Sequence, residues 1–178
     1  MQYQNAQQKK PRLKPRLLIW GGAVVLGVGL LAALVMGSSG NPVPRQDVVS
    51  ESAIHWHPEL AIFVKGQKQE IPANTGIGAQ YSKSEWYDSM MSMTDVHTHD
   101  SSGTLHWEVM DDKTPVTKDH VRLSVFFEIW GQPFNSQQIL GYNNGPDGTV
   151  KMTVNGKSST EFEKYEVRDK DKIEIRYE

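Results

Sequence analysis

The chain has 178 residues, no cysteine and a formal net charge of −2. The absence of cysteine excludes disulfide and thiol chemistry. The charge is unevenly divided, because residues 1–16 carry five cations and no acid, which leaves 14 basic against 21 acidic residues and a net charge of −7 for the rest. An acidic body has the wrong sign for nucleic-acid phosphate, so we expect no nucleic-acid partner.

Residues 17–36 form an uncharged run, LLIWGGAVVLGVGLLAALVM. A helix of twenty residues spans roughly 30 Å, the thickness of the hydrocarbon core of a bilayer. The cations all precede this run, and the next one is Arg45. The positive-inside bias therefore predicts a single-pass transmembrane helix with a cytoplasmic basic tail and an extracytoplasmic body. An uncleaved anchor is favoured over a signal peptide, because the run is long and lacks a clear cleavage site.

The segment 37–50 is rich in Gly, Ser and Pro and predicts a linker, which leaves 51–178 as one exported domain. Alternating apolar residues and turn signals predict a mainly antiparallel β domain of the α+β class, with one or two helices. The predicted strands are 54–64, 67–71, 96–99, 104–109, 149–154 and 172–177. Turns are expected at 65–66 and 155–156, and a helix over 118–130 follows Thr117. The segment 84–93 fits either a short helix or an irregular stretch.

The C-terminal tail TVKMTVNGK…YEVRDKDKIEIRY resembles the closing strands of small ubiquitin-like (β-grasp) domains. The resemblance covers about thirty residues and implies a sheet. It carries no implication for function.

Five of the six histidines gather in two short stretches, HWH and VHTHDSSGTLHWE. Residues two apart on a strand point to the same face, so His55 projects with His57 and His97 with His99. If the turn of the second stretch is centred on 101–102, His97 opposes His106 and His99 opposes Thr104. Opposed residues have Cβ atoms about 4.5–5.5 Å apart, close enough for two imidazoles to bind one ion.

This spacing predicts a transition-metal site, although H-x-H pairs also arise by chance on surface strands. The candidate ligands are five histidines: His55, His57, His97, His99 and His106. Two carboxylates, Asp100 and Glu108, are candidates for additional ligands or for hydrogen-bond acceptors of the ligating imidazoles. Imidazole suits both zinc and copper, and the nearby methionines of MMSM favour copper unless they fill the core. His120 lies outside the pattern.

The stretches HWHPELAIFVKGQKQEIPANTGIG, VHTHDSSGTLHWE and FFEIWGQPF are together similar to an uncharacterised family of single-anchored, exported microbial domains. The match covers most of residues 52–140. Some members carry a protein-disulfide isomerase label, which cannot describe a chain without cysteine. The resemblance implies that the histidines and Asp100 belong to one motif set.

Three functions follow from these features. The first is a membrane-anchored, extracytoplasmic module that holds or delivers zinc or copper. The second is a metal-dependent hydrolase with an open three-histidine site, in which Glu108 or Asp100 acts as base. The third is a structural or partner-binding ectodomain of the envelope, with histidines at its interface and with Trp56, Trp86, Trp107 and Trp130 as candidate aromatic anchors. The sequence leaves open whether the two histidine stretches meet.

Overall fold

The computed structural model describes residues 43–178. The predicted basic tail, the predicted transmembrane run 17–36 and most of the predicted linker lie outside the described residues. Val43–Glu178 form a compact unit. Within that unit, none of the helices has both the length and the apolar character needed to cross a bilayer.

The described residues form short strands and a single α-helix, which confirms the mainly antiparallel α+β class. The strands are β1 (Val48–Ser50), β2 (Ile54–Trp56), β3 (Glu59–Val64), β4 (Gln67–Gln69), β5 (Tyr87–Asp88), β6 (Met93–Thr94), β7 (Val96–His97), β8 (His106–Val109), β9 (Val116–Thr117), β10 (Phe134–Asn135), β11 (Gln138–Ile139), β12 (Tyr142–Asn143), β13 (Val150–Val154), β14 (Lys157–Ser159) and β15 (Lys172–Tyr177). The α-helix is α1 (Leu123–Trp130). Short 3₁₀ turns lie at Arg45–Asp47, Ala79–Tyr81, Asp111–Lys113, Lys118–Val121 and Phe162–Lys164.

The largest sheet has five strands in the order β14-β13-β15-β3-β4. Its central pair, β15 and β3, is parallel, and the other pairs are antiparallel. Alternate residues of β3 and β15 are buried, as the apolar alternation predicts. Both predicted turns are present: Lys65-Gly66 joins β3 to β4 and Asn155-Gly156 joins β13 to β14, each with positive φ at both positions. This is the backbone of a type I′ hairpin turn.

The predicted strand 54–64 is wrong as a single element, because it is divided at His57-Pro58 into β2 and β3. Proline has no N–H to donate to a ladder and keeps the preceding residue extended, so pairing stops here. The two halves then enter different sheets: β3 joins the five-stranded sheet and β2 joins a three-stranded sheet, β2-β8-β7. The break places His57 at the junction of the two sheets.

The predicted helix 118–130 is also divided. Lys118–Val121 form a 3₁₀ turn, Arg122 is extended with φ −70° and ψ 139°, and only then does α1 begin. Arg122 forms an isolated β-bridge with Glu166, which competes with helical hydrogen bonding at that point. Gly131 ends the helix in the left-handed conformation, as its position predicts. The undecided segment 84–93 contains β5 and the start of β6 rather than a helix.

One hydrophobic core joins these elements. Most residues of α1 are buried in it, and the helix contacts β7. Trp107 of β8 is fully buried, and its indole N–H donates to the carbonyl of His120 at 2.8 Å. The inner side of β8 is therefore fixed in the core, which holds His106 and Glu108 on its outer side in place. The remaining small sheets are β1-β9, β5-β6 and β10-β11-β12.

Candidate metal centre

The site is built on the three-stranded sheet β2-β8-β7. In this sheet His97 pairs with His106, and His55 pairs with Glu108. The predicted opposition of His97 and His106 is confirmed. Because side chains alternate along a strand, His106 and Glu108 share one face of β8, while Trp107 points to the core. The pairing therefore brings three imidazoles and one carboxylate onto a single face.

The two histidine stretches meet in space, with His106 between them. The His106 ring centroid lies 4.4 Å from that of His99, 5.4 Å from that of His97 and 4.8 Å from that of His57. The ring of His55 lies 4.7 Å from that of His57. All five predicted ligands thus belong to one continuous cluster.

Two sets of three histidines within the cluster can hold an ion. We define the outer triad as His55, His57 and His106, and the inner triad as His97, His99 and His106. In each triad the potential ligand atoms lie within 4.8 Å of one another. Two nitrogens bound to one tetrahedral zinc at about 2.0–2.1 Å are separated by about 3.3 Å, so small side-chain rotations would bring either triad to bonding geometry.

His97 is the most constrained member of the cluster. It is fully buried, and its Nδ1–H donates to the carbonyl of Thr94 at 3.1 Å. This hydrogen bond leaves the lone pair on Nε2, which has no hydrogen-bond partner among the described residues. Burial lowers the pKa of His97 below its ordinary value, which keeps the ring neutral. A neutral ring oriented by a carbonyl at one nitrogen and free at the other is in the state required of a metal ligand.

The backbone around His97 is fixed by residues that the sequence analysis did not identify. The N–H of Thr94 donates to the carbonyl of Gly76 at 2.8 Å, and the Thr94 hydroxyl donates to the carbonyl of Val96 at 2.6 Å. Gly76 has a φ of +83°, and a Cβ at this position would clash with the Thr94 hydroxyl, lie 2.6 Å from the carbonyl oxygen of Val96 and 3.0 Å from the Cβ of His97. Position 76 therefore requires glycine, because the backbone of the loop 72–78 passes too close to the residues around His97 to leave room for a side chain. The spacing of residues in the sequence does not reveal this requirement.

The hairpin opens beyond His97, which differs from the predicted strands 96–99 and 104–109. Thr98 binds the loop 72–78 instead of a hairpin partner: its N–H donates to the carbonyl of Thr75 at 3.0 Å and its hydroxyl to that of Pro72 at 2.7 Å. Thr104 pairs with Glu59 of β3 rather than with His99. Tertiary hydrogen bonds therefore end the ladder after one histidine pair, and His99 reaches the cluster from a loop.

Glu108 connects the two sides of the cluster. Its Oε1 lies 2.8 Å from Nε2 of His55 and 3.9 Å from Nδ1 of His106. Burial, followed by the neighbouring histidines, lowers the pKa of His106. Glu108 thus stands where a carboxylate can orient a ligating imidazole.

Asp100 and His57 are held by backbone contacts. Asp100 is exposed and belongs to neither triad; its carboxylate accepts the N–H of Ser102 at 2.8 Å, and hydrogen bonding to Ser102 lowers the pKa of Asp100. The N–H of His57 donates to the carboxylate of Asp169 at 2.9 Å. Asp100 therefore shapes the turn between the inner-triad histidines, while Asp169 fixes an outer-triad position from a distant part of the chain.

The sequence also singled out His120 and the methionines of MMSM, and His120 belongs to neither triad. Nδ1 of His120 accepts the N–H of Thr117 at 2.9 Å, a local hydrogen bond that makes this residue a useful control. Met90 is 92% exposed in the turn between β5 and β6, so it does not fill the core.

Comparisons with known proteins give no relative from which a function can be transferred. No family model, curated protein or solved structure matches this chain. A function for this chain must therefore be inferred from the geometry of the histidine cluster.

Proposed function

We propose that this protein is a membrane-anchored, extracytoplasmic metal-binding protein that holds or delivers zinc or copper through its histidine cluster. The observation that carries the proposal is His97, which is fully buried, oriented through Nδ1 and without a hydrogen-bond partner at Nε2 among the described residues.

A buried polar nitrogen without a partner costs about 1–3 kcal/mol. Such atoms are uncommon in folded proteins and often belong to functional sites. A metal ion bound to Nε2 would remove this cost, and His99 and His106 lie within reach of the same ion. The carbonyl of Thr94 would then hold the ligating ring in place, as the outer partners of metal-bound histidines commonly do.

The donor set limits the ion. Neutral imidazole binds zinc, copper, iron and nickel, whereas magnesium and calcium prefer oxygen ligands. The chain has no thiolate to offer. Zinc and copper are the two ions that we propose, and a three-histidine site leaves one coordination position open.

Titration of the full-length chain with Zn²⁺ and Cu²⁺, followed by calorimetry and metal analysis, tests the proposal. We expect saturable binding that is lost or greatly weakened in His97→Ala and in His106→Ala. His120→Ala is the matched control, because it removes the one histidine outside the cluster. Unchanged affinity in both cluster variants would contradict the proposal. Hydrolysis of ester or peptide substrates by the metal-loaded chain would instead support the hydrolase alternative.

The anchoring part of the proposal is supported by the cations in residues 1–16 and the apolar run 17–36. Because the chain has no cysteine, single-cysteine variants give a direct test. In intact cells, we expect a membrane-impermeant maleimide to label Lys157→Cys and not Gln4→Cys, with labelling of both after lysis. The reverse pattern would contradict the proposed topology.

We further propose that the five-stranded sheet and α1 form a β-grasp-like unit. Two features support this proposal. Strand β3, which begins the hairpin β3-β4, pairs in parallel with β15, and α1 lies in sequence between the hairpins β3-β4 and β13-β14. Membership of the family of single-anchored exported domains also stays a proposal, supported by the spacing of the histidine motifs. Amide-proton contacts between β3 and β15 that contradict the parallel pairing, measured in solution by NMR, would contradict the β-grasp proposal.

A further inference from the structure

The outer and inner triads differ in their access to solvent. The side chain of His55 is 60% exposed and His57 is also exposed, whereas His97 is fully buried. His106, which belongs to both triads, is intermediate, with 23% of its side chain exposed. His99 of the inner triad is exposed as well, so the outer triad has two exposed rings, whereas the inner triad has one exposed ring and one that is fully buried. The cluster is therefore open to solvent at His55, His57 and His99 and closed at His97.

The shared ring restricts how the triads are occupied. His106 belongs to both triads. If each ring binds only one ion, an ion in one triad uses His106 and leaves the other triad with two histidines. Two dications on neighbouring triads would also repel each other. The arrangement favours one ion that occupies the two triads in turn.

Glu108 prepares the outer triad to receive a cation. Its carboxylate oxygen lies 2.8 Å from Nε2 of His55, on the open side of the cluster. Its negative charge also lies beside His106, and it attracts cations to the open end of the cluster.

We infer that the outer triad is a loading site, which captures a divalent transition-metal ion from solution and passes it to the inner triad, where it is held. This inference rests on the proposed metal-binding function. During transfer the ion exchanges its bonds to His55 and His57 for bonds to His97 and His99, with His106 common to both states. The ion keeps its oxidation state and no covalent bond changes.

The kinetics of Cu²⁺ binding to the full-length chain test this inference. Cu²⁺ quenches tryptophan fluorescence, and Trp56 and Trp107 lie beside the cluster histidines in sequence, so stopped-flow quenching follows association directly. Displacement by a chelator gives the dissociation rate. The test variant is His55→Gln combined with His57→Gln, two exposed positions at which we expect the fold to be kept.

A loading site lies on the path and not in the final state, so its removal must slow binding and release by the same factor. We expect both rates to fall by about tenfold or more, with Kd and the stoichiometry of one ion unchanged. In His97→Ala, by contrast, association should stay fast and release should accelerate. Glu108→Gln should lower the association rate at low ionic strength and have less effect at high salt. His120→Gln should change none of these values.

Three results would overturn the inference. Unchanged rates in the double variant would mean that the outer triad plays no part in loading. A weaker Kd with an unchanged association rate would mean that His55 and His57 help to hold the bound ion. Two Cu²⁺ ions per chain at saturation would mean that the triads are separate sites. Absence of any Cu²⁺ and Zn²⁺ binding by the parent chain would instead remove the proposed function itself.

Discussion

Replacement of His97 by leucine separates the role of this residue in metal binding from its role in stability. Leucine has a volume close to that of histidine and no polar atom. In the metal-free chain, His97→Leu removes the buried Nε2 that has no hydrogen-bond partner among the described residues, a gain of about 1–3 kcal/mol. It also removes the hydrogen bond from Nδ1 to the Thr94 carbonyl, a loss of similar size. The two changes nearly cancel, so we expect the free energy of unfolding to stay within about 1.5 kcal/mol of the parent.

His97→Ala is the contrasting variant. It removes the same polar atoms but leaves a cavity in a fully buried position, and we expect it to lower the free energy of unfolding by about 3 kcal/mol. The difference in free energy of unfolding between the two variants therefore measures the contribution of packing at this position. The loss of metal binding that we expect in both variants measures the role of His97 as a ligand.

Thermal unfolding with and without Zn²⁺ provides the assay. At a free concentration of about 100 times Kd, a ligand stabilises the folded state by about 2.7 kcal/mol. For a domain of this size, that free energy corresponds to a rise in Tm of about 10 °C. We expect this rise in the parent and in the control His120→Gln, and its loss in His97→Leu. A full zinc-dependent rise in His97→Leu would refute the assignment of His97 as a ligand. A loss of more than about 3 kcal/mol in metal-free His97→Leu would refute the argument about the unpaired nitrogen.

Three further predictions concern pH, the loop that supports the site and the turn before the last strand. Burial lowers the pKa of His97 and His106 below their ordinary 6.5, so the unfolded chain takes up protons first as the pH falls. In urea titrations, the free energy of unfolding of the metal-free chain should therefore be constant above about pH 6.5 and decrease below that pH. The decrease should be less steep in His97→Leu, and a free energy of unfolding that does not change with pH would contradict the prediction. Gly76→Ala should destabilise the chain by about 2–4 kcal/mol and weaken Zn²⁺ binding, because it strains a left-handed residue and presses its Cβ against Thr94 and Val96, which position His97. Gly131→Ala, which is also left-handed but faces open space, should cost about 1 kcal/mol, and equal losses in the two variants would contradict the close approach. Asp171→Ala should lower the free energy of unfolding by about 2–4 kcal/mol, because the buried carboxylate of Asp171 accepts three hydrogen bonds. A loss below about 1 kcal/mol in urea unfolding would contradict that role.

Sequence patterns predicted the elements correctly where their conformation depends on neighbouring residues in the chain. The alternation of apolar residues predicted β13 and β15 to within a residue, and Asn155-Gly156 predicted the turn between β13 and β14. The position of DSSG predicted that His97 opposes His106, because a turn fixes the register of the strands that it joins.

The departures from prediction all involve contacts between distant parts of the chain. The pattern of 54–64 is continuous in alternation, yet the chain changes sheets at Pro58. Residues 118–130 have helical spacing, yet Arg122 pairs with Glu166 and interrupts the helix. At Pro58 the break itself is local, because proline cannot donate to a ladder, but the strands that pair with β2 and β3 lie far away in sequence. At Arg122 a distant partner decides between conformations that the local residues allow, and periodicity contains no information about that partner.

Composition and spacing alone reveal a basic tail before an apolar run, a β-rich domain without cysteine, and five histidines whose spacing is typical of a metal site. The folded chain was needed to show that HWH joins HTHD…H around His106, that His97 is buried and oriented by Thr94, and that Gly76 lies close to both residues. The physical reason is that a strand fixes which of its own side chains share a face, whereas the packing of the whole core fixes which strands become neighbours and how deeply each ring is buried.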